Sequence, residues 1–324
     1  MPLTDLTLEE CLAYRPELPI ATDFDAFWSR TLATTAVTTV GTTPALRPVA
    51  NGLTLIDTYD VTVAGFDGQP VRGWLRIPSN ATGPLGCVVE FLGYGRGRGL
   101  PHENLLYPAA GYAHFLMDTR GQGWSAAPGV TADTAPDQSG SVPGFLTLGV
   151  CSPETHYYRR LFTDAVRWTE AARLLPMVDP HRVVVTGFSQ GGGIALAVAG
   201  LVPGLAGVMP DVPFLCNIRR GAQIAQEPPY TEIAQYLALH RDRIDQVFTT
   251  LSYFDAAHFA ARADAPALFS IALMDSICPP STCFTAYHRY AADKAVEVYA
   301  FNGHEGGGRV HEQVQLAFVH DRIS

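Results

Sequence analysis

The sequence predicts an α/β fold in which a mostly parallel central sheet is flanked by helices. Three observations support this prediction. Strand-like apolar runs alternate with helical patterns, 47% of the 324 residues are hydrophobic, and a Gly-rich turn at 65–68 indicates an antiparallel hairpin at one edge. We expect one domain over residues 1–324, with an N-terminal helical extension (1–40) and a helical cap insertion (212–265) before the last strands.

The N-terminal part of the chain predicts two helical segments followed by the hairpin. Residues 3–19 have a short amphipathic pattern, and a second helix begins near residue 22. Residues 57–64 and 71–77 alternate between apolar and polar side chains, as strands with one buried face do. The two helical segments carry no arrangement of reactive side chains, so we interpret them as packing or subunit-contact elements.

The rest of the chain alternates between strand and helix signals. Strands are predicted at 87–92, 112–118, 182–188, 205–209, 266–274 and 295–301. Helices are predicted at 154–175, 190–199, 231–249, 281–294 and from 308 onwards, and most of 211–264 is expected to be helical. Residues 126–149 are rich in Gly, Pro, Ser, Thr and Asp and too long for a simple connection, which predicts a functional surface loop.

The composition argues against several classes of partner. The formal net charge is −9 and no basic patch is dense, so we expect neither a nucleic-acid nor a membrane partner. No apolar run is long enough to span a bilayer, and the first ten residues do not have the pattern of a signal peptide. The six cysteines are scattered without zinc-like spacing, which predicts reduced thiols and a cytoplasmic location.

The stretch 182–199 carries the strongest chemical signal in the chain. An apolar β-branched run leads into Gly187-Phe-Ser-Gln-Gly191 and then into an Ala-rich helical pattern. A serine between a buried strand and a helix lies on a sharp, strained turn that exposes its hydroxyl. Ser189 is therefore the predicted nucleophile, and the amide of Gln190, at the start of the helix, is a predicted oxyanion donor. The alternative is a glycine-rich turn that contains a serine by chance.

A serine nucleophile needs a base to accept its proton. His304 follows the last predicted strand in a Gly-rich loop, which matches the expected chain order of serine, acid and histidine, each after the end of a strand. His311 and His320 compete with it, but both fall in the final helical pattern and are predicted to be surface residues. The alternative for His304 is a capping histidine on a loop.

The base needs a carboxylate that orients it. Asp275 comes directly after the predicted strand at 266–274 and is our preferred acid. Its rival is Asp211, at the end of the preceding strand. Either aspartate could instead cap the helix that follows it.

The second oxyanion donor is expected in the loop that follows the strand at 87–92. Tyr94 lies between two glycines there, so its backbone amide can approach a substrate closely. Arg96 and Arg98 are predicted to be solvated or paired with the acidic segment at 133–137, rather than catalytic.

Several segments together resemble a known protein family. Residues 120–122 (Arg-Gly-Gln), 187–191 and 304–305 (His-Glu) are similar to the signature motifs of the acetyl xylan esterase / cephalosporin C deacetylase family of α/β-hydrolases (carbohydrate esterase family 7 type). The likeness extends to 14–19, 211–216 and 273–282, and so covers nearly the whole chain. Phe188 departs from the pattern, because many members have a small residue such as Gly there.

The resemblance implies an α/β-hydrolase fold, serine-dependent removal of acetyl groups from small oligosaccharides and related acetate esters, a ring-shaped homohexamer and no cofactor. Carried over position by position, it implies a triad of Ser189, Asp275 and His304. It implies oxyanion donation by the amides of Tyr94 and Gln190, and a structural role for Arg120, Gly121 and Gln122.

The sequence therefore predicts a serine ester hydrolase that favours acetyl esters. One alternative is an oligopeptidase or amidase with the same triad, although many such enzymes carry a large N-terminal gating domain. The other is a non-catalytic binding protein with a hydrolase fold. Such proteins usually lack a triad residue, whereas all three candidates are present here. Phe188 leaves the acyl-length preference open.

Overall fold

The computed structural model describes residues 3, 5–39, 41–133 and 143–324. Within these ranges nine strands form one sheet, in the order β1-β2-β3-β5-β4-β6-β7-β8-β9. Strands β1 to β3 pair antiparallel, β3 pairs antiparallel with β5, and all pairs from β5 to β9 are parallel. The strands are Ala45–Val49, Ile56–Ala64, Pro70–Pro78, Leu85–Phe91, Ala113–Met117, Val178–Phe188, Gly207–Asp211, Ala267–Ala272 and Lys294–Tyr299.

The helices cover the sheet and build the segment between β7 and β8. They are α1 Leu8–Ala13, α2 Phe24–Thr38, α3 Leu106–Ala109, α4 Tyr157–Ala172, α5 Gln190–Leu201, α6 Ile218–Ile224, α7 Tyr230–Leu239, α8 Ile244–Ser252, α9 Ala256–Ala260, α10 Pro280–Arg289 and α11 Gly308–Ile323. We call α6 to α9 the cap helices. No helix in the described ranges is both long and apolar enough to cross a membrane.

Helix α4 shows how the sequence pattern becomes a packed core. Its predicted apolar positions Leu161, Ala165, Trp168 and Ala172 are all fully buried. The Trp168 ring stacks on Phe115 of β5 with their centroids 4.3 Å apart. Burying each large apolar side chain contributes about 1.5–3 kcal/mol, so this helix face anchors α4 to the centre of the sheet.

Several predicted helices are shorter than their sequence patterns suggest, and two of them differ for a visible local reason. Helix α1 begins at a capping box between Thr7 and Glu10 and ends at Tyr14, which is already extended, so it covers only part of 3–19. The single helix predicted at 231–249 is interrupted, because the backbone of His240 is not helical (φ −112°, ψ 62°). A short 3₁₀ turn at Arg241–Arg243 then leads into α8.

Strand β1 was not predicted from the sequence. Ala45–Val49 contains a proline and is largely exposed, so it carries no apolar alternation. Among the described residues it lies at the edge of the sheet and pairs with β2 alone, a position where a missing backbone N–H is tolerated. Tertiary pairing, rather than local propensity, makes this segment a strand.

All six cysteines carry free thiols, as predicted. Five are buried and Cys151 is exposed.

Candidate active site

The serine motif forms the sharp turn that the sequence predicts. Ser189 lies between β6 and α5 with φ 58° and ψ −116°, a conformation that non-glycine residues rarely adopt. Its amide donates to the carbonyl of Asp211 (2.9 Å), which ties the turn to β7. A Cβ on Gly187 would lie 2.3 Å from the backbone of Gly191, and one on Gly191 would lie 2.0 Å from the carbonyl oxygen of Phe91. Both glycines are therefore required for the strand and helix to approach each other.

Three of the predicted side chains come together beside this turn. The Nε2 atom of His304 is 3.0 Å from the Ser189 hydroxyl, and its Nδ1 is 2.8 Å from a carboxylate oxygen of Asp275. Asp275 is fully buried, whereas 21% of the His304 side chain is exposed. When Nδ1–H donates to Asp275, Nε2 is left to accept the serine proton. This hydrogen-bonded chain has the geometry of nucleophile, base and orienting acid.

The other oxygen of Asp275 is held by the backbone. Its Oδ1 accepts hydrogen bonds from the amides of Ile277 (2.9 Å) and Cys278 (2.8 Å). The carboxylate is therefore fixed in one orientation, with Oδ2 directed at His304. Asp275, Cys278 and His304 also form a His/Cys/acid group that is compact enough for a metal ion among the described residues. Burial raises the pKa of the Cys278 thiol well above its ordinary value. Both ring nitrogens of His304 are already engaged, with Ser189 and with Asp275.

The rival acid and the rival bases lie elsewhere. Asp211 ends β7, accepts a hydrogen bond from Gln315 of α11 (3.0 Å) and is bonded by the hydroxyl of Ser270. His311 was predicted to be a surface residue, and this is wrong. It is 2% exposed, because α11 packs against β6, β7 and β8. Its Nδ1 bonds the Tyr299 hydroxyl (2.9 Å), and its Nε2 lies 3.1 Å from a carboxylate oxygen of Asp211, so the rival base and the rival acid contact each other. His320 is exposed, as predicted.

The two predicted oxyanion donors belong to two different elements, the turn after β4 and the start of α5. Tyr94 follows β4 in a turn that is closed by the Arg96 amide and the Gly93 carbonyl (3.1 Å), with Gly95 at φ 80°. This is a type II turn, which needs glycine at its third position. Gln190 is the first residue of α5, so its amide has no acceptor within the helix and lies at the positive end of the helix dipole.

A contact with the cap supports the turn that carries Tyr94, and it was missed at the level of sequence. The Tyr94 hydroxyl donates to Glu232 of α7 (2.7 Å) and accepts from the amide of Phe145 (2.9 Å). Glu232 also accepts from the amide of Leu146 (3.2 Å). Burial raises the pKa of the Glu232 carboxyl, and burial together with the Glu232 charge raises the pKa of Tyr94. No sequence motif marks Glu232, because it lies 138 residues from Tyr94.

Arg120 of the Arg-Gly-Gln segment is an anchor within the core. Its guanidinium is fully buried, forms a bidentate ion pair with Asp164 (2.5 and 2.9 Å) and contacts Asp133 (3.2 Å). Burial lowers the pKa of Arg120, but the two carboxylates outweigh this and raise it above its ordinary value. Gly121 follows with φ 68° and allows the chain to turn, and Gln122 is 3% exposed.

The predicted partners of Arg98 are corrected by the structure. Arg98 is buried, bonds Asp60 (2.7 Å) and lies over the Trp74 ring. Asp133 is instead bonded by Arg120 and Arg160, and the rest of the acidic segment lies outside the described residues. Arg96 is exposed, as predicted for a solvated side chain.

The serine opens into a cavity of about 570 Å³, within the usual range for small-molecule sites. Residues on its walls include Tyr94, Trp124, Phe188, Gln235 and Ile277. The Phe188 ring packs edge-on against His304, with centroids 5.0 Å apart. The predicted functional loop at 126–149 contributes Ala126 and Pro143 to the wall, and its central part (134–142) lies outside the described residues.

Comparison with known proteins gives consistent results. The sequence profile of the family "Acetyl xylan esterase (AXE1)" matches residues 1–322. The solved structure of an acetyl xylan esterase from Paenibacillus sp. R4 is similar at 37% identity and a TM-score of 0.90, covering 98% of this chain and 100% of that one. Acetyl xylan esterase 1 from Thermoanaerobacterium sp. JW/SL YS485 is similar at 29% identity and a TM-score of 0.88, covering 98% and 99%. These likenesses establish the α/β-hydrolase fold.

A curated relative extends the comparison at lower similarity. The acetyl esterase Axe7A of Xylanibacter ruminicola is 26% identical over 310 residues, which span 87% of this chain. The chain spans 63% of the length of that relative.

Proposed function

The chain belongs to the acetyl xylan esterase family, and from that premise we propose that it is a serine esterase that removes acetyl groups from small acetylated substrates. Xylo-oligosaccharide acetates and cephalosporin C-like acetate esters are the substrates we propose. The observation that carries the proposal is the continuous hydrogen-bonded chain from Ser189 through His304 to Asp275 at the wall of an open cavity.

Acylation follows from this geometry. His304 Nε2 accepts the Ser189 proton as the serine oxygen bonds to the ester carbonyl carbon, which forms a tetrahedral oxyanion. The amides of Tyr94 and Gln190 donate to that oxygen, and each such donor is worth about 2.7–4 kcal/mol in the transition state. His304 then gives its proton to the departing alcohol, and the acetyl group remains on Ser189. Asp275 holds the imidazole in the required tautomer and stabilises its cation.

Deacylation repeats these steps with water as the nucleophile. His304 accepts a proton from water, whose oxygen attacks the acetyl carbonyl. Collapse of the second tetrahedral intermediate breaks the bond to Ser189, His304 returns the proton to the serine oxygen, and acetate leaves. The partial exposure of His304 gives water access to Nε2 once the alcohol has left.

The proposal is tested by hydrolysis of p-nitrophenyl esters from acetate to octanoate, with the Ser189→Ala variant alongside. We expect a steep decrease in kcat/KM beyond acetate or propionate, and a loss of several orders of magnitude in kcat for Ser189→Ala. Ser276→Ala is a matched control, because Ser276 follows Asp275 directly but its hydroxyl bonds Glu227 (2.6 Å). A Ser189→Ala variant that kept about a tenth of the activity would contradict the serine mechanism.

Two further measurements separate the remaining alternatives. A fluorophosphonate should label Ser189 and not the alanine variant, whereas a protein that only binds ligands would not be labelled. Peptide anilides should remain uncleaved, and their cleavage at rates similar to the esters would favour a peptidase. Release of acetate from acetylated xylo-oligosaccharides and from cephalosporin C then tests the proposed substrates directly.

We also propose a homohexamer and a cytoplasmic location. Membership of the family supports the hexamer, and multi-angle light scattering that gave the mass of a monomer would contradict it. The six free thiols support a reducing compartment. Fractionation of the cells that produce this protein tests the location, and recovery in the medium would contradict it.

A further inference from the structure

The two proposed oxyanion donors belong to separate elements, so their relative position must be fixed by other contacts. Tyr94 lies in the turn after β4, and Gln190 begins α5. Both amides must point at one oxygen atom, because a displacement of about 1 Å at a catalytic group can lower the rate about 100-fold. The turn lies outside the hydrogen-bonded ladder of the sheet, so the sheet alone does not fix it.

The side chain of Gln122 connects these two elements. Its Oε1 accepts a hydrogen bond from the Gly95 amide (2.7 Å), directly after Tyr94. Its Nε2 donates to the side-chain oxygen of Gln190 (3.0 Å). The Gln190 side chain in turn donates to the carbonyl of Leu92 (3.3 Å). The turn is therefore held on both sides of Tyr94 by two glutamines that are bonded to each other.

The hydrogen-bonding capacity of Gln122 is fully used, which favours one fixed orientation. Its Oε1 also accepts from the side-chain amide of Gln190 (3.3 Å). Its second N–H donates to the Tyr157 hydroxyl (3.1 Å), and that hydroxyl donates to the Arg120 carbonyl (2.6 Å). The Tyr158 hydroxyl donates to the same Gln190 oxygen (2.9 Å). A buried polar network of this kind is rigid when every member is satisfied.

We propose that Gln122 is a positioning residue for the oxyanion hole, an inference that rests on the proposed serine esterase function. It acts through Gly95 and the side chain of Gln190, since Gln122 is 3% exposed and is not among the residues that line the cavity at Ser189. The anchoring of Arg120 in the core and the turn at Gly121 then serve to place Gln122 at this point. The Arg-Gly-Gln segment thus contributes to transition-state stabilisation as well as to folding.

The test replaces Gln122 with methionine, which has a similar volume and cannot form these hydrogen bonds. We expect kcat on p-nitrophenyl acetate to decrease about 10- to 100-fold while KM stays within about threefold, because the hole acts on the transition state. The inhibition constant of methylboronic acid, whose tetrahedral adduct places an oxygen in the hole, should rise by a similar factor. A residue that acted only on folding would not produce this combination.

Gln315→Met is the matched control, because Gln315 is also a buried glutamine (5% exposed). It lies on α11, and its side-chain amide donates a hydrogen bond to Asp211 rather than to the oxyanion hole. We expect it to lower the melting temperature and to leave kcat and the boronic acid constant near wild type. A Gln122→Met variant that behaved in the same way would overturn the proposal.

Tyr157→Phe provides a second route should Gln122→Met not fold. It removes only the hydroxyl that orients Gln122, so we expect a smaller decrease in kcat in the same direction, again with KM unchanged. An unchanged kcat in this variant would also contradict the role of Gln122. Wild-type activity in Ser189→Ala, by contrast, would refute the proposed function itself, whatever the Gln122 variants do.

Discussion

Asp275→Asn tests the geometry of the proposed triad most directly. The carboxylate oxygen Oδ1 accepts hydrogen bonds from the amides of Ile277 and Cys278, and Oδ2 faces Nδ1 of His304. An asparagine must keep its carbonyl oxygen on the two amides, so its NH₂ group faces His304. Nδ1 then accepts a hydrogen bond, and the imidazole proton moves to Nε2, which can no longer accept the Ser189 proton.

The two backbone hydrogen bonds to Oδ1 determine how rarely the asparagine can flip into the productive orientation. Flipping the asparagine would direct its NH₂ at two buried N–H donors, and each lost hydrogen bond costs about 1–3 kcal/mol. The productive orientation is therefore populated at about a few per cent at most, since 1.4 kcal/mol is about a factor of ten. We expect kcat to decrease about 10⁴-fold, as a triad does when its histidine is held in the wrong tautomer, which raises the barrier by about 5.4 kcal/mol.

The assay is steady-state hydrolysis of p-nitrophenyl acetate, with the rate of Ser189→Ala subtracted as background. Asp211→Asn is the control, because Asp211 also ends a parallel strand but contacts Gln315 rather than His304. We expect the control to stay near the wild-type kcat. An Asp275→Asn variant within about tenfold of wild type would refute the tautomer argument.

Three further predictions concern stability, pH and acyl specificity. Arg120→Met should lower the free energy of unfolding by about 3–5 kcal/mol in urea titrations, because it leaves the buried Asp164 carboxylate without its bidentate partner. His156 is buried, and burial lowers its pKa to about 4. Between pH 6.5 and pH 4 the unfolded chain binds a proton at this histidine and the folded chain does not, so the free energy of unfolding should be highest above pH 6.5 and decrease by about 3 kcal/mol towards pH 4. His156→Asn, which keeps a capping acceptor for α4, should flatten that part of the pH–stability curve. Phe188→Ala should raise the kcat/KM ratio of p-nitrophenyl butyrate to acetate about tenfold or more, because Phe188 lines both the cavity at Ser189 and a second cavity of about 630 Å³, and loss of its ring adds room beside the serine.

Each of these predictions has a control or an outcome that contradicts it. Arg309→Met removes an exposed ion pair with Glu312 (side chain of Arg309 89% exposed) and should change the free energy of unfolding by less than about 1 kcal/mol. An equally small change in Arg120→Met would contradict the role of Arg120 as an anchor. An unchanged pH slope in His156→Asn would show that other groups produce it. An unchanged butyrate-to-acetate ratio in Phe188→Ala would mean that the ring does not limit the acyl site.

Much of the site could be predicted from the sequence because its main signals are local. The turn at Ser189 is specified by a β-branched run, two obligatory glycines and an Ala-rich helix within a short window. His304 and Asp275 follow their strands directly, and parallel strands deliver their carboxyl ends to the same edge of the sheet. The order of elements along the chain therefore favoured the three side chains that meet, although Asp211 stayed open as a rival acid.

Contacts between distant segments could not be predicted in this way. The pattern at 45–49 gives no strand signal, and only pairing with β2 makes it one. Arg98 pairs with Asp60 because folding brings β2 beside it. His311 is buried because α11 packs against the sheet. Charge alone suggested the acidic segment as the partner of Arg98, but charge does not say which carboxylate lies within reach.

The sequence by itself determined the α/β fold, the strained serine turn and the order of serine, acid and histidine, since backbone preference and hydrophobic periodicity are properties of short segments. Only the tertiary structure decided how Glu232 supports Tyr94 and how Gln122 joins Gly95 to Gln190. Those contacts link residues that are far apart in the chain, and a hydrogen bond requires placement within a few tenths of an ångström. Such placement results from packing of the whole domain, which no short stretch of sequence encodes.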